Sequence, residues 1–176
     1  MKYKIYVDGQ EGTTGLKINE RLSGRDDIEI IKIDSDKRKD PQERKRLINE
    51  ADIVFLCLPD AASIEAVSMI ENDKTRVIDA STAFRTDDNW VYGLPELGGE
   101  QRSKIANARF VANPGCYATG FNLLVHPLVK DGIISADYPV TCHAVSGYSG
   151  AGKKAIEQYE GEAGKTERMK SPRFYG

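Results

Sequence analysis

Short β-rich runs alternate with stretches of helical period along the first three quarters of the chain. Lys2–Val7 is an apolar, β-prone run stopped by Asp8-Gly9. From Thr14 to Leu22 the apolar residues fall at 15–16, 18 and 22, a helical spacing closed by Ser23-Gly24. Ile28–Ile33 predicts a second strand. Asp40-Pro41 supplies an N-cap with proline at the first helical position, and Glu43 stands where a capping-box partner belongs. The helix that follows is polar on most faces and predicts a surface position. Ala51–Leu58 is unbroken apolar sequence, the signature of a parallel strand covered on both faces. Ala61–Ile70 predicts a helix, Arg76–Ile78 a strand running into Asp79-Ala80-Ser81, Arg109–Ala112 a strand, and Cys116–Val125 a helix broken or kinked by His126-Pro127.

This alternation predicts an α/β fold, a Rossmann-type parallel sheet with right-handed crossovers. After Asp131-Gly132 the texture changes, and Tyr138–Val145 reads as a longer, partly alternating strand that opens something different. The division expected is a Rossmann-type domain over residues 1–115. The beginning of a second, α+β domain follows over 116–176. From Glu157 to Gly176 the chain is polar and charged, with little to bury.

Composition narrows the function classes. Hydrophobic residues make up 40% and charged residues 30% of 176, a globular mixture. A net charge of −2 leaves no basic footprint for nucleic acid or an anionic membrane. No apolar run approaches a membrane span. The cysteines, Cys57, Cys116 and Cys142, are scattered without metal spacing, so no metal is expected and a reducing, cytoplasmic setting fits.

Two segments carry chemistry. Gly9, Gly12 and Gly15 form GxxGxxG between a strand and a helix, with Thr13 and Thr14 at the helix start. Glycines there let the backbone turn sharply and approach a pyrophosphate held on the helix N-terminus. A plain tight turn also explains glycines, but the second strand and the Asp34 at its end match a dinucleotide site. Asp34 suits an unphosphorylated ribose, whereas Ser35, Lys37, Arg38 and Lys39 suit a 2′-phosphate, and the balance leans to NADP. A solvated loop is the other reading of those cations.

The second segment is Asn113-Pro114-Gly115-Cys116-Tyr117-Ala118-Thr119. A cysteine at a helix start has backbone N–H groups and the positive dipole end beside its sulfur, which favours thiolate. Cys57, inside an apolar strand, reads as a small buried hydrophobe, and so does Cys142. Gly147–Lys153 has the spacing of a P-loop, but Lys154 replaces the Ser or Thr that would hold Mg²⁺. His143 reads as a strand residue and His126 as structural.

In order along the chain stand GxxGxxG, LPDAAS (58–63), DASTAFR (79–85), YGLPEL (92–97), NPGCYAT (113–119) and SGYSGAGK (146–153). Together they resemble the N-acetyl-γ-glutamyl-phosphate reductases, NADPH-dependent oxidoreductases of arginine biosynthesis, and most of all their shorter bacterial type. Aspartate-semialdehyde dehydrogenases are similar in plan but match less well around NPGCYAT and SGYSGAGK. The resemblance implies Cys116 as nucleophile toward a small-molecule acyl phosphate and Ser81 at the cofactor. It further implies Arg85 and Asn113, with Ser146, Gly147 and Tyr148, around the substrate. The guanidinium of Arg85 suits a carboxylate or phosphate clamp, a surface salt bridge being the alternative. Asn113 or nearby amides suit an oxyanion.

Family members run well beyond 176 residues. The resemblance implies that their general acid/base histidine lies in an HxHxPE-type segment after Gly176. By the same resemblance 116–176 is the start of the substrate and dimerisation domain, whose remainder, with a helix covering one sheet face, also lies past that point. The full-length protein is then expected to be a homo-oligomer. This chain alone is expected to bind NADP without appreciable turnover. A related aminoadipyl- or aspartyl-phosphate reductase, or a non-catalytic NADP-binding fragment, are the rival expectations.

Overall fold

The computed structural model describes residues 2–10, 12–151 and 153–161. Six strands run parallel: β1 (Tyr3–Asp8), β2 (Ile28–Ile31), β3 (Ile53–Leu56), β4 (Arg76–Asp79), β5 (Val91–Tyr92) and β6 (Phe110–Ala112), in the spatial order β2-β1-β3-β4-β6-β5. The order reverses between β1 and β3, so the crevice at their carboxyl ends is the sheet's switch point. The chain divides into a unit ending at Cys142 and a second beginning at His143.

Helices cover both faces. Tyr6, Val54, Leu56 and Val77 point to one side and are almost wholly buried. They lie against Leu47 and Ile48 of α2 (Pro41–Glu50) and Ala66 of α3 (Asp60–Ser68). Each such aliphatic side chain contributes roughly 1.5–3 kcal/mol by leaving water. On the other side α1 (Thr13–Leu22) brings Ile18 and Leu22 to Ile5, Val7 and Ile28. Its coverage thins toward β3, where Ile53, Phe55 and Cys57 stay half-buried while Val54 and Leu56 are sealed. The apolar Ala51–Leu58 run is therefore buried on one face and only partly on the other. The expected two-sided burial of that strand is corrected.

Local chemistry sets the helix ends. Asp40 caps α2, its Oδ1 accepting from the Gln42 amide at 2.9 Å, with Pro41 at the first position. The capping box does not form, because the Asp40 N–H donates to Lys37 O and Glu43 pairs with Arg46. α2 is also less peripheral than its polar sequence predicts, burying Arg44, Leu47 and Ile48 along one stripe. Removing the cap with Asp40→Ala should cost about 1 kcal/mol. That loss would be read as a lower denaturant midpoint at unchanged slope.

Two further expectations are corrected. Helix α5 (Cys116–Lys130) continues through Pro127, because only one turn follows the proline and the Leu123 carbonyl alone forgoes its partner. It ends in a Schellman arrangement: Gly132 at φ +69°, its N–H on Val129 O at 3.1 Å, and the Ile133 N–H on Leu128 O at 2.9 Å. Tyr138–Val145 forms no strand, having no ladder partner among the described residues. Sequence periodicity also did not reveal β5, two residues long, or helix α4 (Gln101–Asn107). Helix α6 (Lys153–Glu160) closes the described chain, and the remainder of the polar tail, 162–176, lies outside the described residues.

Candidate active site

The glycine turn leaves β1 at the switch point. Gly9 has φ +86°, and a Cβ there would stand 2.3 Å from the Cys57 carbonyl oxygen. A Cβ on Gly15 would meet Gly9 O at 2.4 Å, and one on Gly12 would meet it at 3.3 Å. The Gly12 N–H folds back on Gly9 O at 3.0 Å. Gly12 is also the N-cap of α1 and has no side chain to cap the first turn, which Thr13, Thr14 and Gly15 form. Backbone packed this closely, ending in an uncapped helix N-terminus, fits a pyrophosphate lying across the turn.

Asp34, Ser35, Lys37 and Arg38 stand exposed in the loop after β2, shaped by the Lys37 N–H on Asp34 O at 2.9 Å. The Gln10 side chain ties this loop's entry to the glycine turn, donating to Ile33 O at 3.3 Å. Beside the turn lies a buried ion group that sequence reasoning missed. Asp8 Oδ2 accepts from Arg44 Nε and Nη2 at 3.2 and 3.0 Å, and Arg44 Nη1 reaches Glu65 at 3.2 Å. An aspartate directly before the first glycine, with an arginine one turn into the second helix, was the only signal.

The loop after β4 and the turn after β6 are adjacent because their strands pair. Side chains lace them together. Asp60, at the start of α3, accepts from the Thr82 N–H and hydroxyl, and those bonds hold its carboxyl below the ordinary carboxylate range. Asp79 is fully buried and accepts from the Ser81 N–H at 3.0 Å and from its hydroxyl at 2.6 Å. The Ser81 hydroxyl is thus turned inward. Arg85 donates from Nε to Asn113 O at 3.1 Å and from Nη2 to Ala80 O at 3.2 Å, bridging both loops. Its Nη1 lies against Gly115, where a Cβ would be 2.8 Å away. Two of the guanidinium's donors are therefore spent on backbone, and Nη1 points at the residue before Cys116.

Cys116 is the first residue of α5 and is exposed. The N-cap, Gly115, offers no side-chain cap, and the Thr119 N–H and hydroxyl both donate to Gly115 O at 2.9 Å. The sulfur therefore sits, open to solvent, at a helix N-terminus that no side chain caps. Asn113 donates from its main-chain N–H to Asp79 O at 2.7 Å, while its side-chain amide rests on Pro114 O. Cys57 differs: burial pushes its thiol up to about 12, with Asp79 and Asp8 adding to the rise.

Ser146, Gly147 and Tyr148 belong to the second unit. There the Tyr148 hydroxyl donates to Glu160 at 2.9 Å and its ring stacks on Tyr159 at 4.7 Å, clipping the loop to α6. Ser146 Oγ donates to Gly147 O at 3.1 Å. Among the described residues no group of His, Cys, Asp and Glu could hold a metal, and no helix is long and apolar enough to cross a membrane.

Residues 4–108 match the family model of the semialdehyde dehydrogenase NAD-binding domain. The chain belongs to the semialdehyde dehydrogenase family. The dimerisation-domain model of the same family matches residues 116–176. Among curated relatives, the N-acetyl-gamma-glutamyl-phosphate reductase of Trichormus variabilis is 55% identical over 159 residues, which is 90% of this chain and 49% of that protein. The corresponding reductase of Burkholderia lata is 51% identical over 172 residues, 98% of this chain and 54% of its own length. The chain thus spans about half the length of the curated relatives it matches. Among solved structures, aspartate semialdehyde dehydrogenase from Francisella tularensis superposes with a TM-score of 0.68 at 17% identity. The match covers 98% of this chain and 52% of that one. The Candida albicans enzyme, solved with NADP, gives 0.54 at 16% identity over 74% and 48% of the two chains. The shared fold of this family explains why its nucleotide turn and its cysteine turn stand on one sheet edge.

Proposed function

We propose that this chain carries the NADP-binding part and the nucleophile of an N-acetyl-γ-glutamyl-phosphate reductase. The observation that carries the reading is Cys116, exposed at the uncapped start of α5, on the same carboxyl edge as the glycine turn. Its thiolate attacks the acyl carbonyl of N-acetylglutamyl 5-phosphate. The bond from that carbon to the phosphate oxygen breaks, inorganic phosphate leaves, and a thioester to Cys116 remains. Backbone amides at the start of α5 face the oxyanion that develops. Arg85 holds the cysteine turn against the β4 loop and keeps Nη1 beside Gly115, where an anionic substrate group would approach. NADPH, when bound, supplies the hydride that takes the thioester carbon to the aldehyde level. Collapse then re-forms the thiolate and frees the semialdehyde.

The cations at Lys37 and Arg38 support NADP over NAD. The dimerisation-domain match supports a homo-oligomeric full-length protein, and the solvent-facing leucines of α5, Leu124 at 74% exposure among them, leave apolar surface to cover. The composition supports a cytoplasmic location. The test is an assay of the full-length protein with N-acetylglutamate 5-semialdehyde. NADP reduction dependent on phosphate or arsenate is expected, and activity only with a different semialdehyde would overturn the substrate assignment.

A further inference from the structure

The loop of residues 34–39 joins β2 to α2, and both its ends are tied to the two residues that flank Gly9. On the entry side, Gln10 Nε2 donates to Ile33 O at 3.3 Å, directly before Asp34. On the exit side, Arg44 lies one helical turn beyond the Asp40 cap and forks onto Asp8 Oδ2 with Nε and Nη2. That pair is sealed, with side-chain exposures of 10% and 7%, so water does not compete for its hydrogen bonds. Glu65 on α3 takes the remaining arm of the guanidinium, fixing Arg44 from a third element.

We infer that Asp8, Gln10 and Arg44 are positioning residues. They set the 34–39 loop against the glycine turn, and so set how well the protein selects an adenosine 2′-phosphate. Ser35, Lys37 and Arg38 stand exposed on this loop. A phosphate on the ribose is recognised only if those groups stand at a fixed offset from the pyrophosphate, and the two ties provide that offset. None of the three need touch the ligand. This inference rests on the NADP reading above.

The experiment compares 2′-phospho-ADP-ribose with ADP-ribose, titrated calorimetrically into the chain and three variants, with melting temperatures alongside. The variants are Gln10→Ala, Arg44→Lys and the charge-free pair Asp8→Asn with Arg44→Met. The double change avoids a buried unpaired carboxylate. The native chain should prefer the 2′-phosphate, and the double variant should lose about tenfold of that preference, the worth of one placed charge-assisted contact. Gln10→Ala and Arg44→Lys should lose part of it. If the double variant does not fold, those two single variants decide. Equal weakening of both ligands with the preference intact would mean a structural role only, and would overturn the inference. No preference in the native chain would overturn the NADP reading itself, and this inference with it.

Discussion

Cys116→Ala is expected to lower reductase turnover of the full-length protein by roughly 10⁴-fold or more, the scale seen when a covalent nucleophile is removed. The loss should fall on kcat, because the thioester route is closed while the cofactor turn stands untouched on β1. Stability should hardly change. The side chain is exposed at the first position of α5, where it fills no core space. NADPH affinity within twofold of native, together with lost turnover, separates a nucleophile from a structural cysteine. Cys57→Ala supplies the contrast. That thiol is half-buried beneath the glycine turn, and its loss should register in stability and leave the chemical step in place.

The second large effect is expected at Gly9→Ala. A side chain there must adopt φ +86°, which costs roughly 1–2 kcal/mol for a residue with a Cβ. It must also occupy a point 2.3 Å from the Cys57 carbonyl oxygen and 2.9 Å from its carbon. Those are backbone atoms joined to the Asp8 carbonyl through the Cys57 N–H at 2.8 Å, so they cannot swing aside as a side-chain tip would. Either β1 and β3 part at their ends or the turn changes shape. We expect NADPH affinity to fall by about a hundredfold or more, a loss of roughly 3 kcal/mol. The melting temperature should fall as well. Gly24→Ala is the control, since nothing lies within 4 Å of its added carbon, and it should leave NADPH binding unchanged.

What was legible in the sequence was local. The turn at Gly9–Gly15, the cap at Asp40-Pro41 and the start of α5 at Cys116 each depend on residues within a few positions of one another. Strand alternation likewise showed the parallel sheet, because βαβ units impose their own period. What was not legible depends on distance along the chain. Asp8 meets Arg44 across 36 positions, and Arg85 meets Asn113 across 28. The Asp8–Arg44 pair has only the faint signal of their places beside the first glycine and in the second helix, and nothing local announces Arg85 with Asn113. Arg85 reads in the sequence as an anion clamp or a surface salt bridge, and its hold on two backbone carbonyls could not be seen there. The bond from the Ser81 hydroxyl to the buried Asp79 was likewise not visible in the sequence. Tyr138–Val145 has a strand's alternation without a partner, and alternation alone makes no ladder. Pro127 reads as a break or a kink, and the helix is not broken there, because a proline one turn from a helix end forfeits only one hydrogen bond.

Cys116 as the reactive thiol is the centre of the account, and one measurement addresses it most directly. The folded chain is treated with iodoacetamide near pH 7, and labelling of Cys57, Cys116 and Cys142 is followed by peptide mass mapping. Cys116 should label at least about tenfold faster than Cys142, which is also exposed but lies outside any helix. Cys57, its thiol pushed up to about 12 by burial, should stay unmodified until the chain unfolds. Slow labelling at Cys116, no faster than at Cys142, would contradict the account.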